Sequence, residues 1–222
     1  MKLGTYHCHT IYCDGKNSIE EMITASLAQK LSHIGFSAHS VFPFASTWHI
    51  SPRHLEEYFI HIRNVRKQIY ENNIPILIYA GLEADFIPAL SNADFSQYSQ
   101  FNPDYIIEST HYLNPANNRS AELFTVDGSP KELLDGCNNF FKGDKKALVK
   151  FYFQTEREML ETARGQIVGH IDLIKKNNKE LELFSENDDW YREEIEKTVK
   201  ALAKSKKICE INTGGIARKK NR

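Results

Sequence analysis

Short apolar runs alternate along the chain with longer segments whose apolar positions recur at helical spacing. The runs predict six strands, at residues 2–9, 33–39, 74–86, 104–110, 166–172 and 208–213. The helical patterns predict four helices, at residues 18–31, 51–73, 143–165 and 188–207. A polar insert at 113–143 has room for one short helix. This alternation is typical of the α/β class with a parallel sheet, either open or closed into a barrel.

Two of the predicted helices have sequence signals that mark their first residues. Ser18 is followed three residues later by Glu21, which is the spacing of a capping box. Ser51 precedes Pro52, and proline is favoured at the first position of a helix. These signals place the starts of the first two helices.

Length, charge and cysteine usage narrow the class of protein. The 222 residues, 41% of them hydrophobic, fit a single large domain spanning 1–222 or two small ones. A net charge of −1 gives no reason to expect nucleic acid or a membrane as partner. The first residues contain no apolar signal segment, so we expect a cytoplasmic protein. The four cysteines show no CxxC pairing, which argues against a disulfide framework.

Histidine and glutamate side chains recur where predicted strands end. His9, His39, Glu83, His111 and His170 each lie at the carboxyl end of a different strand or directly after it. In a barrel of parallel strands those ends meet at one rim, where active sites lie. His7 precedes His9 by two residues and would share its face of a strand. Glycine-rich nucleotide-binding motifs are absent from the sequence, so the pattern favours the barrel with a metal centre.

The chemistry of these side chains indicates which ions they would hold. Imidazole combined with carboxylate suits zinc, iron or manganese. The set exceeds the needs of one tetrahedral ion, and Glu83 could bridge two ions. Neighbouring ions suit hydrolysis of a phosphate ester. His33, His54 and His61 are interpreted as surface or packing residues, and His49 lies in a loop on the side of the rim.

The motifs around these residues resemble those of the polymerase-and-histidinol-phosphatase (PHP) superfamily. They are His7-x-His9 with Asp14, "GFSAHS" at His39, "GLEADF" at Glu83, "STHYL" at His111 and "GHIDL" at His170. The segments "DGSPKEL" and "EINTGG" resemble the histidinol-phosphate phosphatase branch. The resemblance implies a distorted seven-stranded, TIM-like β/α barrel and a small phosphorylated substrate.

The resemblance also implies a role for each residue. His7, His9 and Glu83 would hold one ion, Glu83 with His111 and His170 a second, and Asp14 with His39 a third. The residues at the first two ions would be catalytic, hydroxide would attack phosphorus, and L-histidinol and phosphate would leave. Arginines bind the phosphate in this family, and the candidates here are Arg218, Arg157 and Arg119.

One family motif has no counterpart in this sequence. The family closes with Asp-x-His on a seventh strand, and this sequence runs to "ARKKNR" without it. We therefore expect a barrel that is incomplete at the C-terminus, with two or three ions. The alternatives to a histidinol phosphatase are another PHP phosphoesterase, acting as a nucleotide phosphodiesterase or a phosphotyrosine phosphatase, or a truncated form that binds metal without turnover.

Overall fold

The computed structural model describes residues 3–44, 46–92, 94–118 and 122–214. The chain forms two compact units, and both are discontinuous in sequence. The first unit comprises Met1–Ala84 and Asp94–Ile107. The second comprises Asp85–Ala93 and Glu108–Arg222. A single domain spanning 1–222 stays a prediction.

Strands and helices alternate through the described part of the chain. The strands are β1 (Gly4–Thr5), β2 (His33–His39), β3 (Leu77–Ile87), β4 (Ser91–Asn92), β5 (Tyr105–Ser109), β6 (Tyr112–Leu113), β7 (Phe124–Thr125), β8 (Ile167–Val168) and β9 (Ile208–Cys209). The α-helices are α1 (Ile19–Ala28), α2 (Pro52–Glu71), α3 (Pro130–Phe141), α4 (Lys145–Thr162), α5 (Asn178–Leu181) and α6 (Asp189–Ser205). Two 3₁₀ helices span Phe95–Phe101 and Leu173–Asn177.

A parallel sheet forms the centre of the first unit. Its strand order is β1-β2-β3-β5, and β3 and β5 continue into the second unit. The register of β2 on β3 runs from His33 opposite Leu77 to His39 opposite Glu83. This register places the His39 and Glu83 backbones side by side. His39 ends β2 as predicted, whereas Glu83 lies four residues before the end of β3.

The helices of the first unit begin where the sequence signals indicate. Ser18 and Glu21 form both hydrogen bonds of the capping box at the start of α1. Pro52 is the first residue of α2. The buried face of α2 consists of residues at helical spacing, which are Leu55, Tyr58, Phe59, Ile62, Val65 and Ile69.

Tyr105 fixes the backbone next to the first histidines. Its hydroxyl donates to the carbonyl oxygens of Tyr6 and Phe36. Its ring occupies the space above two glycines on neighbouring strands, since a Cβ on Gly35 or Gly81 would come within 2.4–2.5 Å of Tyr105. Tyr6, the residue before His7, is thereby connected through Tyr105 to Phe36 of β2.

The second unit combines a short parallel ladder with a helical layer. Its strand order is β5-β8-β9, with Ile167 opposite Ile208 in the parallel pair. Two antiparallel pairs, β3 with β4 and β6 with β7, complete its strands. The core joins the β6–β7 pair to the helices and contains Leu113, Phe124, Val126, Leu133, Cys137, Leu148, Val149, Tyr152, Phe153, Ile174, Leu183, Phe184 and Tyr191.

The α/β class with a mainly parallel sheet is confirmed, and several element boundaries are corrected. Strands predicted at 2–9, 166–172 and 208–213 are only two residues long. The short helix predicted within the 113–143 insert is present as α3, whereas the insert also contains β7 and sends apolar residues into the core, which the polar composition did not predict. No helix within the described ranges combines the length and apolarity that a membrane crossing requires.

Candidate metal centre

Three imidazoles meet one buried carboxylate in the first unit. The Glu83 Oε2 atom lies 3.0 Å from His7 Nε2, 3.3 Å from His9 Nε2 and 3.2 Å from His39 Nδ1. The Glu83 side chain is 1% exposed. A carboxylate this deeply buried must be compensated by positive charge. Glu83 therefore lies where a carboxylate could bind metal ions together with the three surrounding imidazoles.

The two histidines of the first motif face each other. His7 Nε2 and His9 Nε2 are 3.1 Å apart, so the side chains converge as predicted. The predicted reason was wrong, because β1 ends at Thr5 and both histidines follow the strand. Two imidazole nitrogens in contact share at most one proton, whereas a cation between them accepts a lone pair from each. This geometry fits a metal ion.

A second group of donors lies at the more exposed edge of the same cluster. His9 Nδ1 is 3.1 Å from Asp14 Oδ1, and His39 Nε2 is 3.9 Å from it. One donor atom from each of His9, Asp14 and His39 lies within 4.8 Å of the others. Nitrogen and oxygen donors in this combination suit zinc, iron or manganese. His9 and His39 thus face a carboxylate on both sides.

Interactions between the charged groups of this cluster shift the pKa values of His9 and Asp14. Burial alone would lower the pKa of His9, but hydrogen bonds to Asp14, Cys13 and Glu83 raise it well above its ordinary value. Burial would likewise raise the pKa of Asp14, but His9 and His39 hold it well below its usual range. The Asp14 carboxylate therefore stays ionised and favours positive charge beside it, whether proton or metal ion.

The loop after β2 supplies aromatic packing around His39. The Trp48 ring meets His39 edge to face with centroids 4.5 Å apart. His49 is buried, and its ring centroid lies 5.6 Å from that of His39. Phe42 stacks on His49 at 4.4 Å. His49, whose loop was predicted to open on the side of the rim, thus packs next to a candidate ligand.

In the second unit His111 and His170 form a pair of neighbouring imidazoles. Their ring centroids are 4.9 Å apart at an interplanar angle of 65°. His111 follows the end of β5 by two residues, and His170 follows the end of β8 by two residues. The backbone N–H of His170 donates to Glu210 Oε2 at 3.1 Å. Whether these rings share an ion with Glu83 stays a prediction.

Asp85 orients His111, and the sequence analysis did not identify this role. His111 Nδ1 donates to Asp85 Oδ1 at 2.7 Å, and both residues are buried. A carboxylate on Nδ1 leaves Nε2 as the nitrogen available to a metal ion. The available signal was the spacing Glu83-x-Asp85, which puts both acids on the same face of β3.

We expect Asp85→Asn to weaken metal binding by about 10–100-fold, because the amide no longer holds the His111 ring in one tautomer. Calorimetric titration of the metal-free protein with zinc measures this change in affinity. Asp135→Asn is the matched control, since Asp135 is an exposed acid on α3 that pairs with Lys131. Equal zinc affinity in wild type and Asp85→Asn would contradict the assigned role.

Of the three arginine candidates, only Arg157 lies within the residues that the structure describes. Arg119 and Arg218 lie outside the residues that the structure describes. Arg157 on α4 contacts α6, where Nη2 is 2.9 Å from Glu194 Oε2 and Nη1 donates to Thr198 at 3.0 Å. A phosphate-binding role for any of the three stays a prediction.

Comparison with known protein families identifies the class. The PHP domain model matches residues 5–214. The chain therefore belongs to the PHP domain family, and the predicted class of an incomplete TIM-like β/α barrel is confirmed.

Two curated relatives carry the name histidinol-phosphatase. The one from Schizosaccharomyces pombe is 25% identical over 228 residues, covering 95% of this chain and 69% of its own length. The one from Deinococcus radiodurans is 25% identical over 173 residues, covering 77% of this chain and 60% of its own. The chain thus spans about three-fifths to seven-tenths of these relatives.

Two solved structures share the fold. A protein from Listeria monocytogenes, assigned as a histidinol phosphatase, superposes with a TM-score of 0.77 at 19% identity, covering 96% of this chain and 84% of that one. Histidinol phosphate phosphatase from Lactococcus lactis subsp. lactis, solved with zinc, L-histidinol and phosphate, gives a TM-score of 0.70 at 22% identity. That match covers 99% of this chain and 76% of the Lactococcus chain.

Proposed function

We propose that this protein is a metal-dependent phosphomonoesterase that hydrolyses L-histidinol phosphate to L-histidinol and phosphate, a step of histidine biosynthesis. The observation that carries the proposal is the convergence of His7, His9 and His39 on the Glu83 carboxylate. The names of the relatives and the ligands of the Lactococcus structure support the choice of substrate.

The proposed metal ligands come from the sequence motifs. They are His7, His9, Asp14, His39, Glu83, His111 and His170. Two or three ions of zinc, iron or manganese are proposed. Bound divalent ions supply Lewis acidity and stabilise the charge that develops on the oxygens of a phosphate ester. Asp85 contributes by keeping one tautomer of the His111 ring.

Exposure suggests where the substrate enters the cluster of the first unit. The Asp14 side chain is 46% exposed, whereas that of Glu83 is 1% exposed. Glu83 is thus shielded from solvent, and the edge at Asp14 remains open to water and to a phosphate group. The ester is expected to approach from the Asp14 side, with its alcohol portion pointing away from Glu83.

The activity is tested directly with L-histidinol phosphate. Phosphate release by purified protein loaded with zinc or manganese should be readily measured, should stop on chelation and should return with added metal. His9→Ala should reduce turnover below detection while leaving the circular dichroism spectrum unchanged. His54→Ala is the control, because His54 is an exposed histidine on α2.

Other substrates distinguish the alternatives. A phosphodiesterase would release more product from a nucleotide diester, and a phosphotyrosine phosphatase more from phosphotyrosine, than from histidinol phosphate. Metal binding without turnover of any ester would identify a form that binds ions only. Each of these results would refute the proposed substrate assignment.

A further inference from the structure

A chain of hydrogen bonds connects two helices of the first unit to the loop that carries Asp14. Glu20 on α1 lies with Oε1 2.7 Å from His61 Nε2. His61 on α2 lies with Nδ1 3.0 Å from the hydroxyl oxygen of Tyr12. Tyr12 stands two residues before Asp14 in the sequence. Side chains 41 and 49 residues apart thus meet in one continuous path.

The direction of each hydrogen bond follows from the acid at its end. The Glu20 carboxylate can only accept, so the N–H of His61 lies on Nε2. His61 Nδ1 is then the acceptor, and the Tyr12 hydroxyl donates to it. Glu57 Oε1 lies 3.5 Å from the same hydroxyl and is a weaker second acceptor. The path therefore fixes the rotamer of Tyr12.

The Tyr12 ring is also anchored to the sheet. It meets the buried Tyr58 ring edge to face at 5.5 Å. The Tyr58 hydroxyl in turn donates to the Gly81 carbonyl oxygen at 2.9 Å and accepts from the Ala38 N–H at 3.2 Å. Those two residues belong to the strands that carry Glu83 and His39. Through Tyr58, Tyr12 thus connects its loop to β2 and β3, the strands that carry His39 and Glu83.

The loop between His9 and Asp14 is a tight turn, so an anchor at Tyr12 constrains Asp14. The Thr10 carbonyl oxygen accepts from the N–H groups of both Cys13 and Gly15, at 3.0 Å each. The Asp14 carboxylate itself is about half exposed and faces His9 and His39. Because the Asp14 side chain is 46% exposed, its position depends on the turn that holds it.

We propose that Tyr12 and His61 are positioning residues that hold Asp14 in place for a cation bound with His9 and His39. This inference rests on the metal site of the proposed function. It assigns a role to His61, which the sequence analysis interprets as a surface or packing residue of a helix. The Tyr12 hydroxyl acts through the turn, not on the ion.

Zinc and manganese binding to the otherwise intact protein tests the proposal. In Tyr12→Phe the ring remains on Tyr58 and only the hydroxyl is lost. We expect the affinity for the Asp14-dependent ion to fall about tenfold, as for other groups that orient ligands, with the remaining ions unaffected. His61→Gln should show the same loss. The double variant should lose no more than either single variant, because both break one path. His54→Gln on the same helix is the control.

Asp14→Asn, titrated in parallel, identifies the ion concerned. Loss of that ion in Asp14→Asn with unchanged binding in both Tyr12→Phe and His61→Gln overturns the positioning role alone. Binding that is unaffected by Asp14→Asn overturns the positioning role together with this metal site, whereas the phosphatase assay separately tests the proposed function. Thermal unfolding of each variant establishes that the protein titrated is folded.

Discussion

Replacing Glu83 by glutamine is expected to lower the proposed histidinol phosphatase turnover at least roughly 10³-fold, because the proposed metal site loses a shared anionic ligand worth several kcal/mol of charge stabilisation. The substitution conserves the shape of the side chain. It removes the negative charge that His7, His9 and His39 face within 3.0–3.3 Å. The amide group also places an N–H donor where a carboxylate oxygen could otherwise face the imidazoles.

Metal content and rate should fall together in this variant. Elemental analysis after dialysis gives the ions retained per chain, and phosphate release gives the rate. Glu71→Gln is the matched control, because Glu71 is an exposed glutamate at the end of α2 that pairs with Lys67. Full metal content with near wild-type turnover in Glu83→Gln would remove Glu83 from the proposed ligand set.

The first-unit cluster could be predicted because its residues follow from strand register. His39 ends β2 and lies opposite Glu83 in the parallel pair with β3, and such neighbours follow once the two strands are correctly identified. The path of the chain at His7 could not be predicted in the same way. The Thr5 Oγ1 atom accepts from the His7 N–H, a local hydrogen bond that competes with the β-ladder just where β1 ends.

The supporting residues escaped prediction because their roles depend on long-range contacts. Asp85 and His111 are 26 residues apart, and Tyr12 and His61 are 49 apart. Helical spacing correctly placed His61 on α2, but periodicity does not reveal which residue a polar side chain reaches across the fold. Two-residue strands such as β8 and β9 were overestimated because apolar runs mark buried chain, whether or not it pairs.

Lys207 pairs with Glu108, a fully buried acid of the second unit. Its Nζ atom contacts Glu108 Oε1 and donates to the Ala163 carbonyl oxygen at 2.8 Å. The Glu108 side chain is fully buried, and its Oε2 accepts from the Gly165 N–H at 2.9 Å. Burial raises the pKa of Glu108 to about 7, with Lys207 and Gly165 acting against that rise. Three segments of the unit therefore depend on one ion pair.

Lys207→Met is expected to lower the free energy of unfolding by about 1.4 kcal/mol more at pH 8 than at pH 5, because pH 8 is one unit above the folded pKa of about 7. Without its cation the buried carboxyl group must hold a proton at pH 8, whereas at pH 5 it is protonated in both proteins. The folded pKa of Glu108 lies above that of an ordinary glutamate, so the folded state retains a proton that the unfolded state releases as pH rises. Stability from this group therefore falls between about pH 4.5 and 7, and without Lys207 the fall extends to higher pH.

Urea unfolding at both pH values measures this dependence, and Lys204→Met, an exposed lysine on α6, is the control. The double variant Lys207→Met/Glu108→Gln should recover most of the loss at pH 8, because the neutral amide needs no cation. Equal destabilisation at pH 5 and pH 8 would show instead that the methylene chain of Lys207 matters more than its charge. Recovery confined to pH 8 would tie the stability of the β5 end, and so the backbone leading to His111, to the charge of a single buried acid.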